Sequence, residues 1–272
     1  MDGRVGGSGP DWHAHHYERA SSLKALIFGD THVPFHDERA LDVVVKLAKL
    51  TAPDIVVHIG DLIDCWQISD FDKDPSRRDS LQENIDTGIT FLKRLGSVCP
   101  KAAKFYLEGN HEQRLTRAIH RMPERQRELA RLRVFRSVAW PSILKEGGCH
   151  DWTYVETRGQ AMRKVVPNLI VKHGSVVRRW SAATAKAEWE RYGRSGVSGH
   201  THRLGAFYHN DANGAHGWVE TGCTCELKPE YVEDPDWQHG ALVVTWDGAR
   251  FNFEPVYIQK GVAVWREKVI SA

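Results

Sequence analysis

The chain has 272 residues, of which 41% are hydrophobic and 26% are charged, and this is the composition of an ordinary globular protein. It excludes a disordered chain and a collagen-like fibre, and the five irregularly spaced cysteines exclude a disulfide-stapled miniprotein. The 37 basic and 35 acidic residues leave a net charge of +2, which by itself indicates neither a nucleic-acid nor a membrane partner.

Residues 1–20 are polar and rich in glycine and histidine, which predicts a flexible N-terminal arm. The arm lacks the apolar stretch of a signal peptide, and no window of the chain reaches 18 uninterrupted apolar residues. We therefore expect a cytoplasmic protein with no membrane span. Because no linker or low-complexity run divides the chain beyond the arm, residues 21–272 are expected to form a single domain.

The first half of the chain alternates short apolar runs with amphipathic stretches. The apolar runs predict buried strands at Leu23–Phe28, 54–59 and Ala103–Leu107. Helical spacing of apolar residues predicts one helix after Asp37 and a second over 80–95. This order of strands and helices predicts an α/β unit with a parallel sheet.

The second half of the chain does not continue this regular alternation of strands and helices. The pattern predicts a basic and mostly helical segment over 112–136, which Pro123 is expected to kink or divide. A strand at 168–172, a helix at 181–192 and a short strand at 196–198 follow. The rest contains only strands and turns, at 206–209, 218–220, 241–246 and 250–256. We expect these late strands to be antiparallel and to form a second sheet that packs on the first.

Five predicted strand ends each carry a glycine beside residues that could bind a metal ion. They read Gly29-Asp30-Thr31-His32, Gly60-Asp61-Leu62-Ile63-Asp64, Gly109-Asn110-His111-Glu112, His173-Gly174 and Gly199-His200-Thr201-His202. In an open parallel sheet, ligands bind beyond the carboxyl ends of the strands, so these loops are expected to converge. Mixed carboxylate, imidazole and amide donors suit Mn²⁺, Fe or Zn²⁺ better than Ca²⁺.

Too many donors are present for one tetrahedral ion, so two cations about 3.5–4 Å apart, spanned by a carboxylate, are predicted. The candidate metal ligands are Asp30, His32, Asp61, Asn110, His173, His200 and His202.

The ordered set D-x-H, G-D-x-x-D, G-N-H-E, H-G and G-H-x-H resembles the calcineurin-like metallophosphoesterase superfamily in its phage and bacterial form. The match runs from Asp30 to His202 with all five motifs in order. The resemblance implies an α/β fold of two packed mixed β-sheets flanked by helices, a four-layer α/β/β/α sandwich. Residues 21–272 would be the metallophosphoesterase domain. It also implies two divalent metal ions, with Mn²⁺ the first choice and Zn²⁺, Fe or Ni²⁺ as alternatives.

The resemblance further implies a role for each motif residue. One metal ion would take Asp30, His32, Asp61 and His202; the other would take Asp61, Asn110, His173 and His200, which makes Asp61 the bridge. His111 would be the catalytic histidine. Asp64 and Glu112 are predicted to orient the ligand histidines and to tighten the motif turns.

These residues predict a metal-dependent phosphoric ester hydrolase in which a metal-bridging hydroxide attacks phosphorus and His111 protonates the leaving alcohol. Arg114 and Arg203 are candidate substrate-binding residues because each follows a motif histidine closely.

Phosphodiesters are favoured over monoesters, with nucleic acid or nucleotides as candidate substrates, because eight arginines follow the third motif. These are Arg114, Arg117, Arg121, Arg125, Arg127, Arg131, Arg133 and Arg136.

Three alternatives stay open. The arginines could form a solvated or partner-facing helix face, the enzyme could be a phosphomonoesterase acting on proteins or nucleotides, and the fold could be a non-catalytic metal-binding scaffold.

Overall fold

The computed structural model describes residues 22–130, 138–156, 163–166, 168–229 and 232–272. The predicted N-terminal arm, residues 1–20, lies outside the described residues, as do Arg131, Arg133 and Arg136 of the basic segment. None of the helices described is long and apolar enough to cross a membrane.

Thirteen strands and six helices build the described part of the chain. The strands are β1 (Leu23–Phe28), β2 (Ile55–His58), β3 (Ala103–Leu107), β4 (Trp152–Val155), β5 (Arg163–Val166), β6 (Leu169–Lys172), β7 (Gly196–Ser198), β8 (Leu204–Asp211), β9 (Gly214–Thr221), β10 (His239–Trp246), β11 (Phe251–Gln259), β12 (Val262–Trp265) and β13 (Lys268–Ser271). The helices are α1 (Glu38–Thr51), α2 (Leu81–Val98), α3 (Glu112–Arg121), α4 (Glu124–Ala130), α5 (Trp140–Glu146) and α6 (Ala183–Tyr192).

The strands form two mixed sheets. The larger sheet has the order β13-β12-β11-β10-β1-β2-β3-β4, in which β1 to β4 are parallel and β10 to β13 are antiparallel. The smaller sheet has the order β5-β6-β7-β9-β8, with β6, β7 and β9 parallel. The carboxyl ends of β1, β2 and β3 in one sheet, and of β6 and β7 in the other, carry the five motif loops.

Strand β1 shows why its sequence is apolar throughout. Ala25 and Ile27 face the smaller sheet, whereas Leu26 and Phe28 pack against the helices, and all four are fully buried. A strand buried on both faces has no polar alternation. On the outer face of the smaller sheet, α6 packs through Ala185 against Trp218. The four layers confirm the predicted sandwich of two packed mixed sheets flanked by helices.

The helices begin where the sequence indicates. Asp37 caps α1 by accepting hydrogen bonds from the amides of Arg39 and Ala40, and Ser80 and Glu83 form a capping box at the start of α2. The basic segment divides as expected, since α3 ends at Arg121 and α4 begins after Pro123.

One expectation about the late strands is wrong. Only β8 and β9 belong to the smaller sheet, whereas β10 to β13 extend the larger one beside β1. The reason lies in β10, where Ala241 and Val243 pack against the helices while Leu242 and Val244 face the smaller sheet. With both faces apolar, β10 is stable only at a central position, and it pairs with β1.

Candidate active site

The five motif loops meet at one end of the sandwich, between the two sheets. The loops after β1 and β2 are joined through their backbones: the amide of Asp30 donates to the carbonyl oxygen of Gly60 at 3.0 Å, and the amide of His32 donates to that of Asp61 at 2.9 Å. The loop after β7 is joined to the first through the amide of His200, which donates to the Asp30 carboxylate at 3.0 Å. Residues far apart in sequence thus share one rigid frame.

Five of the predicted metal ligands have a left-handed backbone. The φ angles of Asp30, His32, Asp61, His200 and His202 lie between 51° and 70°. Such a conformation costs a non-glycine residue about 1–3 kcal/mol and persists only where surrounding contacts impose it. It is a property that clusters at functional sites, and the local sequence does not reveal it.

One group of donors lies at the ends of β1 and β7. Donor atoms of Asp30, His32 and His202 lie within 4.8 Å of one another, and all three residues are buried. The Nε2 atoms of His32 and His202 are 3.0 Å apart, and Nε2 of His202 is 3.4 Å from Oδ1 of Asp30. Two imidazoles and a carboxylate therefore point at a common centre.

A second group lies at the ends of β2, β3, β6 and β7. Donor atoms of Asp61, His173 and His200 lie within 4.8 Å of one another. Nε2 of His173 is 3.2 Å from Oδ2 of Asp61 and 3.0 Å from Oδ1 of Asn110. The same Oδ2 of Asp61 is 3.7 Å from Nε2 of His32 in the first group. Asp61 thus lies between the two groups, where a bridging ligand would have to be.

Hydrogen bonds at Nδ1 determine which ring nitrogen of three of the histidines faces this centre. Nδ1 of His32 donates to the Asp64 carboxylate at 3.0 Å, and Nδ1 of His173 donates to the carbonyl oxygen of Ile59 at 3.2 Å. Nδ1 of His111 donates to the carbonyl oxygen of Asp64 at 2.8 Å. Each ring therefore presents Nε2 to the cluster, as histidines that bind metal ions do.

Burial and mutual charge shift the pKa values of the cluster in opposite directions. Burial disfavours the ionised form of Asp61, but His173 and His111 outweigh it and hold the pKa of Asp61 well below its usual range. Burial also opposes protonation of His173, yet Asp61 raises the pKa of His173 to about 9. Burial, aided by His173, lowers the pKa of His200 to about 4. At neutral pH the cluster thus holds an ionised Asp61 and a neutral His200.

Glu112 joins two of the motif loops by accepting hydrogen bonds from the backbone amides of both. Its Oε2 accepts hydrogen bonds from the amides of Asp61 and Gly109, both at 2.8 Å. Its Oε1 accepts from Leu62, Ile63 and the hydroxyl of Tyr106. Glycine is needed at 109 because a Cβ there would collide with the Asp61 carboxylate. Glu112 therefore positions the loop that carries Asp61 against the loop that carries Asn110.

His111 and Arg114 lie together at the edge of the cluster. Nε2 of His111 is 3.8 Å from Oδ2 of Asp61 and 3.2 Å from a guanidinium nitrogen of Arg114. Arg114 in turn donates to the carbonyl oxygen of Asp64 at 2.8 Å. Burial opposes protonation of His111, but Asp61 and Asp64 outweigh it and raise its pKa. A proton donor and a cation therefore face the same small space.

Other arginines singled out by the sequence are engaged elsewhere. Arg203 donates to the carbonyl oxygen of Arg178 at 2.6 Å and lies 3.5 Å from Asp236, so the structure does not bring its guanidinium into the cluster. Arg121 donates to both oxygens of Asp70, at 2.6 and 2.8 Å. Among the described residues of the basic segment, Arg114 is thus an arginine that contacts the site.

Two residues beside the cluster were not among the site residues predicted from the sequence. Sγ of Cys225 is 3.8 Å from Nδ1 of His202, and the ring of Trp237 packs on the His202 ring with centroids 4.1 Å apart. Both belong to the segment between β9 and β10, which carries none of the motifs. The C-x-C pair of Cys223 and Cys225 was the only local signal, and its spacing does not point to a phosphoester site.

The donor chemistry fits two divalent cations. Asp30 and Asp61 are both at most 1% exposed, and buried carboxylates need positive partners. The nitrogen and oxygen donors suit borderline cations such as Mn²⁺, Fe or Zn²⁺. The predicted ligands form two groups of donors with Asp61 between them, so the residues present fit a dinuclear centre.

Comparisons with known proteins agree with this chemistry. The family model described as calcineurin-like phosphoesterase matches residues 23–204, a span that includes all five motif loops. The gene 54 protein of Mycobacterium phage D29 is 31% identical over 254 residues, covering 88% of this chain and 95% of that protein.

Similar solved structures include a dimetal phosphatase from Danio rerio, with a TM-score of 0.46 and 10% identity over 92% of this chain and 99% of the other. A Vps29 mutant from Entamoeba histolytica has a TM-score of 0.45 and 12% identity over the same shares of the two chains, 92% and 99%.

Proposed function

This chain belongs to the calcineurin-like phosphoesterase family, and on that premise we propose that it is a dinuclear metal-dependent hydrolase of phosphodiester bonds. The observation that carries the proposal is the position of Asp61, whose Oδ2 faces His173 at 3.2 Å and His32 at 3.7 Å. A carboxylate that lies between two groups of imidazole and oxygen donors is the arrangement that a pair of cations needs.

In this proposal Asp30, His32, Asp61 and His202 hold one ion, and Asp61, Asn110, His173 and His200 hold the other. A bound pair of divalent ions supplies Lewis acidity, which lowers the pKa of water and neutralises charge on phosphoryl oxygens. Mn²⁺ is the proposed metal on the basis of the family resemblance, and the mixed nitrogen and oxygen donors are compatible with it. Asp64 would keep His32 in the tautomer that presents Nε2, through the 3.0 Å hydrogen bond at Nδ1.

His111 is the proposed catalytic residue. With Nδ1 bonded to the carbonyl oxygen of Asp64, only Nε2 can deliver a proton to the departing alcohol. Arg114 is the proposed substrate-binding residue, since its guanidinium lies 3.2 Å from that nitrogen. A phosphate oxygen that approaches both nitrogens from the side of the cluster would accept hydrogen bonds from both groups.

A nucleic acid or a nucleotide is the proposed substrate class. The support is the basic character of α3 and α4, where Arg114, Arg117, Arg121 and Arg125 follow the third motif. A cytoplasmic location belongs to the same proposal, and all five cysteines are free thiols, as a reducing compartment requires.

A substrate screen on metal-reconstituted protein tests the function. We expect faster hydrolysis of bis-p-nitrophenyl phosphate than of p-nitrophenyl phosphate, and cleavage of single-stranded or duplex DNA, with loss of all activity in EDTA. Activity on the monoester alone would replace this proposal with a phosphomonoesterase. Two bound ions without turnover of any ester would make the protein a metal-binding scaffold.

A further inference from the structure

Phe71 stands out because a large apolar side chain at the edge of the site is 74% exposed. It follows the short 3₁₀ turn at Trp66–Ile68, which continues from the loop that carries Asp61 and Asp64. The guanidinium of Arg114 lies 5.8 Å from the centroid of the Phe71 ring. Arg114 therefore neighbours both this ring and His111, the proposed proton donor.

Contacts on both sides of Phe71 hold its segment in place. Both carboxylate oxygens of the neighbouring Asp70 accept hydrogen bonds from Arg121 of α3, at 2.6 and 2.8 Å. Lys73 donates to the carbonyl oxygen of Ser69 at 2.8 Å. The same helix thus provides the cation beside the ring, through Arg114, and the anchor of the segment that carries it. The Phe71 ring is therefore exposed beside the cation that borders the proposed proton donor, where an aromatic group of a substrate could stack on it.

A second aromatic ring borders the other part of the cluster. Trp237 packs on His202, with ring centroids 4.1 Å apart, and is only partly buried. The ring of His32 contacts both His111, at 4.4 Å, and His202, at 4.8 Å, and so lies between the two ends of the site. Phe71 marks the His111 end and Trp237 marks the His202 end.

We propose that Phe71 and Trp237 are stacking surfaces for the two nucleobases that flank the scissile phosphate of an unpaired strand. The inference rests on the proposed function, because it names the substrate of the same site. A diester has one substituent on each side of phosphorus, which matches one aromatic ring at each end. Stacking on an aromatic ring tolerates every base, and bases within a duplex do not expose the faces that it needs. Arg114 complements the phosphate charge between the two rings.

The test compares two oligonucleotides with equal charge. The full-length protein, reconstituted with Mn²⁺, is titrated into a fluorescein-labelled tetrathymidylate whose phosphorothioate linkages resist hydrolysis, and into the same backbone with abasic residues. We expect Phe71→Ala to weaken binding of the thymine strand by about 5–150-fold while changing binding of the abasic strand less than about twofold. Phe71→Trp should restore the affinity for thymine.

Two control variants exclude indirect effects of the Phe71 substitution, and two variants of Trp237 test the second ring. Tyr257→Ala removes an exposed aromatic ring on β11, outside the histidine cluster, and should leave both affinities unchanged. Asp70→Asn weakens the ion pair that holds the Phe71 segment, so it should lower the thymine affinity by less than Phe71→Ala does. For Trp237, replacement by phenylalanine should preserve thymine binding and replacement by alanine should reduce it.

Equal losses on thymine and abasic strands, or no loss on either, would overturn the stacking role of Phe71. An abasic strand that binds the wild type as tightly as thymine would overturn it as well. A different measurement tests the proposed function. If the metal-loaded wild type does not hydrolyse bis-p-nitrophenyl phosphate, the proposed hydrolase activity is wrong, whatever the binding comparison shows.

Discussion

Replacing Glu112 with glutamine is the perturbation whose cost can be worked out most directly from the structure. The side chain is fully buried, and it accepts hydrogen bonds from three donors at Oε1 and from two at Oε2. Glutamine has nearly the same shape but replaces one oxygen with an amide group that only donates. Whichever way the amide is turned, at least two buried donors lose their acceptor.

Each buried donor without an acceptor costs about 1–3 kcal/mol. We therefore expect Glu112→Gln to lower the free energy of unfolding by about 2–6 kcal/mol, which in a protein of this size lowers Tm by roughly 5–20 °C. Tyr106→Phe is the matched control, because it removes a single hydroxyl donor from the same carboxylate. That change should cost only about 0.5–1.5 kcal/mol.

Equilibrium urea unfolding in EDTA measures both variants without a contribution from bound metal. A loss below about 1 kcal/mol for Glu112→Gln, or a loss no larger than that of Tyr106→Phe, would refute the argument. The carboxylate would then not be the acceptor that joins the loop of Asp61 to the loop of Gly109.

Three further predictions concern metal binding, catalysis and acid stability. The wild type should bind two divalent ions by elemental analysis, and Asp61→Ala should lose more metal than any other single ligand variant, since Asp61 faces both donor groups. His111→Ala should keep both ions yet lower turnover by at least about 10²-fold, with a smaller deficit for good leaving groups. Burial lowers the pKa of His58 to about 3, so the unfolded chain binds more protons below pH 6.5 and stability falls between pH 6.5 and 3. At pH 5 this contribution is about 2 kcal/mol, and it should vanish in His58→Gln when unfolding is measured in EDTA.

Specific results would contradict each of these. A single tightly held ion in the wild type would remove the bridging role of Asp61. Equal deficits of His111→Ala on p-nitrophenyl and alkyl esters would make His111 a positioning residue rather than a proton donor. An unfolding free energy with the same slope against pH in wild type and His58→Gln would show that His58 is already protonated in the folded protein.

The order of residues along the chain was sufficient to predict the fold class. Apolar runs and helical periodicity report burial over short windows, so Leu23–Phe28, α1 and α2 were predictable with small errors at their ends. The glycine and ligand patterns at strand ends are also local. Once the strands are parallel neighbours, their carboxyl ends must lie at the same edge, so Asp30, Asp61 and Asn110 converge whatever the details of packing.

Tertiary structure alone decided what depends on contacts between distant residues. The pairing of β10 with β1 joins Leu23 to Trp246, and no short window distinguishes that partner from a strand of the other sheet. In the same way, Arg121 is held by Asp70 and Trp237 packs on His202, although neither pair has a recognisable spacing. Local patterns encode which faces are buried, because burial is a property of each residue, whereas partner choice depends on the packing of the whole chain.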